Sequence, residues 1–85
     1  MKQFNDLQFK KHPQKDGVIT RIIFDNGYGA SVVKHEHSYG GDKGLYELAV
    51  IKDDELCYDT PITNDVIGYL RDIDVTDVME KIQQL

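Results

Sequence analysis

The stretch "VITRIIFDNGYGASVV", residues 18–33, decides the fold. Two runs rich in β-branched residues flank Asn26-Gly27. Branched side chains pack well on a pleated sheet and are stiff in a helix. Both central residues of a type I′ turn need positive φ, which Asn-Gly adopts at low cost. The pattern predicts a hairpin with Asn26-Gly27 as a two-residue loop. Asp25 would then face Tyr28, Phe24 face Gly29 and Ile23 face Ala30, with pairing out to Ile19 and Lys34. The Phe24 ring would cover the bare backbone at Gly29.

Towards the C-terminus, "LYELAVI" (residues 45–51) reads as a third strand. The chain turns near "KDDE" and returns through "LCYDT" (56–60). Pro61 has no N–H to give a ladder and should end that strand. Both alternate sets of this second hairpin contain apolar residues, so its buried face stays open. Thr63 is a plausible N-cap for a short helical turn, "NDVIGYL" (64–70), with Asp65 at the positive end and Gly68 weakening it. Asp74 would cap a second helix, "VTDVMEKIQQL" (75–85). There Val75, Val78, Ile82 and Leu85 make one apolar stripe, and Asp77 and Lys81 suit the helix dipole. At the other end, Phe4, Leu7 and Phe9 fit a short turn or an edge strand. Pro13 and Gly17 bracket a polar loop. Strands come first and helices last. The expectation is one α+β domain over residues 1–85, a small antiparallel, meander-like sheet of about four strands packed against C-terminal helices.

Composition narrows the function classes. With 85 residues, 40% apolar and 29% charged, the chain is sized for a single core and is neither disordered nor membrane-spanning in character. "MKQFNDLQFKKHPQ" has no apolar run of the kind a secretory signal needs. One cysteine, Cys57, rules out an internal disulfide and predicts a cytosolic setting. The net charge of −5 is unevenly spread: residues 1–52 carry +2 and residues 53–85 carry −7. The acidic half argues against a nucleic-acid partner, because phosphate neutralisation supplies most of that affinity. It suits a solvated helix surface, or a basic protein partner.

Three blocks, "NGYGASVV", "SYGGDKGLYELAV" and "YDTPITNDVIGYL", followed by an amphipathic C-terminal helix, resemble a group of short proteins encoded by tailed bacteriophages. The resemblance runs from about Phe9 to Leu85. It implies an accessory protein made in the cytoplasm of an infected bacterium. It brings no activity and no catalytic residue with it.

The chemistry-bearing residues are few. His35 and His37, two apart on a strand, would share a face and could share a metal, but no second ligand pair accompanies them. The simpler reading is two exposed histidines at a strand end, with no metal and no cofactor. "YGGDKG" is the best candidate for a recognition lip: Tyr39 offers a broad contact surface, Gly40, Gly41 and Gly44 permit backbone shapes other residues cannot adopt and leave amides accessible, and Asp42 lies among them as a binding residue. It is neither a P-loop nor a dinucleotide fingerprint. The simpler reading is a glycine-rich β connection. Ser31 has no GxSxG elbow around it. Cys57 reads as a small mid-strand hydrophobe, Asp53, Asp54 and Glu55 as a solvated turn, and Tyr46 and Tyr58 as packing residues. The chain therefore reads as a non-enzymatic protein that binds a host or phage protein, with Tyr39 to Asp42 as one handle and Asp72 and Asp77 as an acidic second. The competing reading is a small-molecule or nucleotide binder using residues 38–44.

Overall fold

The hairpin at residues 18–33 forms, one residue out of the expected register. In the computed structural model, which describes residues 1–85, strand β2 (Gly17–Ile23) pairs antiparallel with β3 (Tyr28–His35). Ile23 faces Gly29, Ile22 faces Ala30 and Thr20 faces Val32. Phe24 N donates to Tyr28 O (2.7 Å) and Gly27 N to Phe24 O (3.0 Å), so the loop holds Asp25, Asn26 and Gly27. Only Gly27 has a positive φ there, +87°. This is a type I turn closed by a left-handed glycine, not the type I′ loop that Asn-Gly predicts. Asn26 is instead committed to a distant partner. Its Oδ1 accepts Tyr28 N (3.1 Å), while its Nδ2 donates to Ile82 O (2.9 Å), at the far end of the chain.

The shift matters because side chains alternate between faces, so a slip of one exchanges neighbours. Thr20 and Ile22 join Ala30 and Val32 on one face, and Ile23 is left 57% exposed on the other. There Ile23 and Ile51, rather than Phe24, stand over the bare backbone of Gly29.

Strand β4 (Tyr46–Lys52) continues the meander from β3, and β5 (Glu55–Leu56) returns from it. The type I′ turn appears here: Lys52 faces Glu55 across Asp53 and Asp54, with φ of 53° and 66°. After one further bond, Cys57 N to Val50 O (2.8 Å), the chain leaves the sheet, well short of Pro61. Cys57 is half-buried just past the strand, and Tyr58 is 43% exposed rather than packed.

The segment expected as a helical turn is a strand. β6 (Ile67–Leu70) pairs antiparallel with β4, Tyr46 opposite Leu70 and Leu48 opposite Ile67, with an irregularity between. Val66 and Ile67 disfavour a helix and Gly68 weakens it further. The edge of β4 beyond β5 supplies the unpaired backbone groups that a strand can satisfy. A two-residue β1 (Lys10–Lys11) pairs with the other edge, so six strands run β1-β2-β3-β4, with β5 and β6 sharing β4's outer side. The sheet is thus larger than expected, and one helix rather than two covers it.

That helix, α1 (Asp72–Gln83), begins before Asp74. Asp74 still caps it, from the third helical position. Its Oδ2 accepts Arg71 N (3.0 Å) and Arg71 Nε (2.9 Å). The Arg71 guanidinium holds the Asp74 carboxyl below the usual carboxylate range, first through that hydrogen bond. The buried stripe is Val75, Met79 and Ile82, each with no exposed surface, while Leu85 is 37% exposed and Val78 lies at the flank. Burying a side chain of this size contributes roughly 1.5–3 kcal/mol. The stripe meets Phe24, Ala30, Val32, Leu48, Val50 and Leu70, so it is the even residues of β4 that face the helix. At the margin, Phe4 in a single 3-10 turn (Phe4–Asp6) stacks with Phe9 and Tyr46 at centroid distances of 5.1 to 5.7 Å. No helix is long and apolar enough to cross a membrane.

Candidate functional site

The connection from β3 to β4 is a braced platform rather than a loose lip. Ser38, buried, clamps its start: its Oγ accepts His35 N (3.0 Å) and donates to His35 O (2.9 Å). Tyr39 N donates to Glu47 Oε1 on β4 (3.1 Å), and Tyr39 O accepts Tyr69 N on β6 (3.0 Å). The segment is therefore tied to three strands within two residues.

Glycine makes this approach sterically feasible. A Cβ on Gly68 would run into Tyr39 Cβ, and one on Gly41 into the His35 carbonyl. Gly40 has φ +90° and would bring a Cβ within 2.9 Å of Tyr69 Cα. The backbone amides are largely spent on the platform itself. Gly41 N donates to Ser38 O, Lys43 N and Leu45 N to Gly40 O, and Gly44 N to Gly41 O. A phosphate cradle needs several free, convergent amides, and here those of Gly41, Lys43, Gly44 and Leu45 are already bonded.

What the platform displays is aromatic. Tyr39 is 60% exposed and Tyr69 is 57% exposed. Tyr69 is held at φ +58°, a left-handed conformation that costs a non-glycine residue roughly 1–2 kcal/mol. Lys43 Nζ lies 5.9 Å from the Tyr69 ring centroid, at the outer limit of a cation–π contact. Asp42 is exposed beside them, in a 3-10 turn over Gly41–Lys43.

The other sequence candidates lie elsewhere. Asp72 and Asp77 are exposed on α1, and no hydrogen bond or ion pair joins either to residues 38–44. β3 ends at His35, so His37 sits in the following turn and not on a shared strand face. His35 Nδ1 accepts His37 N (3.1 Å), which occupies one of its two ring nitrogens. The His35 ring packs edge-on to His12 at 5.2 Å. Desolvation and then His12 lower the pKa of His35. No three His, Cys, Asp or Glu side chains converge as metal ligands. Ser38 Oγ donates to a backbone carbonyl and not to an imidazole, so it is not paired with a base.

Tyr69 and Glu47 are the participants that the sequence pattern missed. The sequence pattern places Tyr69 in a helical turn, which hides both its exposure and its positive φ. The signal was the β-branched pair Val66-Ile67 running into Gly68-Tyr69, a strand with a break in it. No protein-family model, curated protein or solved structure matches the chain.

Proposed function

We propose that this chain is a non-enzymatic accessory protein of a tailed bacteriophage that works in the host cytoplasm by binding a host or phage protein. Interference with a host process, a defence system among them, is the concrete form of this reading. The observation that carries it is the pair of exposed tyrosines on a braced platform, one of them held in a strained backbone conformation. Rigid tyrosines bury large area at small entropic cost, which is why they recur as anchors in protein interfaces. Backbone strain of this kind clusters at ligand clamps and switch regions, which supports a binding role for the platform. The competing nucleotide-binding reading loses support where the loop's amides are already bonded.

The experiment is affinity capture from phage-infected host lysate, followed by kinetics with the captured partner. Tyr39→Ala should raise the dissociation rate, since truncating such an anchor costs ~2 kcal/mol or more. Tyr69→Gly relieves the left-handed strain, so it should leave stability unchanged or raised while weakening the complex. Charge reversal at Asp72 and Asp77 should chiefly slow association and change its salt dependence. If both tyrosine variants fold and bind the partner like the parent chain, the platform is not the interface. A thermal shift with a nucleotide panel would move the conclusion to the competing reading.

A further inference from the structure

The opposite edge of the sheet is open along half its length. β1 and the following His12 cover β2 only from Gly17 to Ile19. The bond from Phe24 N to Tyr28 O sets the alternation, so the even residues of β2 bond β3, and Arg21 and Ile23 turn their N–H and C=O groups outward. No loop, turn or side chain bonds those outward groups. Extended backwards, the register of β1 would place Phe9, Gln8 and Leu7 opposite Thr20, Arg21 and Ile22. Instead Phe9 leaves the edge to stack 5.4 Å from Tyr46. The departure leaves a groove of about 510 Å³ between Leu7–Gln8 and β2.

The groove has two chemically different sides. Leu7 and Ile22 pack towards the core on the helix face. On the other face, Arg21 shares its side with Ile19, which stands opposite Lys10. The charged residues lining the groove are Lys10 and Arg21 against Asp6, a balance of +1 in a chain of net charge −5. Arg21 is paired only with Asp54 (3.0 Å), with side chains 48% and 85% exposed. Such a solvated pair is weak and readily exchanged for another carboxylate.

We propose that this edge docks an extended segment of another protein in which acidic and apolar side chains alternate, adding to β2 as a further strand. Arg21 and Ile23 supply the ladder bonds, Leu7 and Ile22 receive the apolar side chains, and Arg21 and Lys10 receive the acidic ones. The site lies across the sheet from the tyrosine platform and rests on none of its residues, so the two stand or fall separately.

The test uses the full chain, isotope-labelled, titrated by NMR with a synthetic peptide alternating glutamate and valine. Saturable shifts should centre on the amides of Arg21 and Ile23. A lysine–valine peptide should bind roughly tenfold more weakly, and a glutamate–valine peptide N-methylated at alternate amides should not bind. Arg21→Glu, at an exposed position, should reverse the preference between the two peptides while the spectrum stays that of a folded protein. Three results would each overturn the proposal: shifts that do not saturate, shifts centred on Tyr39 and Tyr69, or equal affinity for both peptides. Concentration-dependent self-association that protects Arg21 and Ile23 and excludes the peptide would also overturn it, and would make a second copy the occupant.

Discussion

Asn26→Gly separates the two hairpins that residues 18–33 could form. In a type I′ loop, glycine replaces asparagine at a positive-φ position at almost no cost. In the loop observed here, the same change removes two hydrogen bonds. Nδ2 to Ile82 O, at 2.9 Å and partly buried, is worth about 1 kcal/mol net, with Ile82 O keeping its second donor, Leu85 N (3.1 Å). Oδ1 to Tyr28 N, at 3.1 Å and exposed, adds about 0.5 kcal/mol. Glycine's extra freedom in the unfolded chain adds roughly another 0.5 kcal/mol. The contact to Leu85 O, at 3.5 Å, is too long to count. The expected loss is about 2 kcal/mol, or roughly 8–16 °C in Tm for a domain of this size. Asn26→Asp should lose nearly as much, because it keeps the turn bond but sets a negative charge against the negative end of α1. Urea denaturation followed by circular dichroism reads both. An Asn26→Gly midpoint within about 0.5 kcal/mol of the parent would refute the tie between the turn and the helix.

Met79→Ala should cost about 2–4 kcal/mol, since the side chain is wholly buried, whereas Leu85→Ala at 37% exposure should cost under about 1 kcal/mol; chemical denaturation ranks the two. Gly68→Ala should destabilise the domain and loosen the platform, seen as faster amide exchange at Tyr69, whose N–H is bonded to Tyr39 O. His35 makes stability depend on pH. Desolvation and His12 hold its folded pKa below the ordinary 6.5, so below that value the unfolded chain binds the proton more readily. Its contribution is whole above the ordinary value and is lost as pH falls towards the folded one. Thermal melts from pH ~7.5 down to ~5 should show the decline, and His35→Gln should flatten it; an unchanged slope in that variant would assign the effect elsewhere.

Local pattern alone carried the hairpin, the third strand, the amphipathic end of the chain and the α+β class, because alternation, turn chemistry and helical spacing are properties of neighbouring residues. It also carried the exposure of Tyr39, an aromatic set among glycines. Register was beyond it. Asn26 takes its conformation from a bond to Ile82, 56 residues away, and that distant bond outweighs the intrinsic preference of Asn-Gly. The fate of residues 64–70 was likewise tertiary. Its propensities were divided, and the unpaired edge of β4 decided for a strand over a helical turn. Once β6 lay there, Tyr69 met Tyr39 and the platform existed. Met79 joined the buried stripe because α1 begins at Asp72 and its rotation about the axis is set by what the sheet leaves uncovered. Each of these outcomes depends on backbone groups and surfaces that become neighbours only when the chain closes on itself, and no window of sequence contains them.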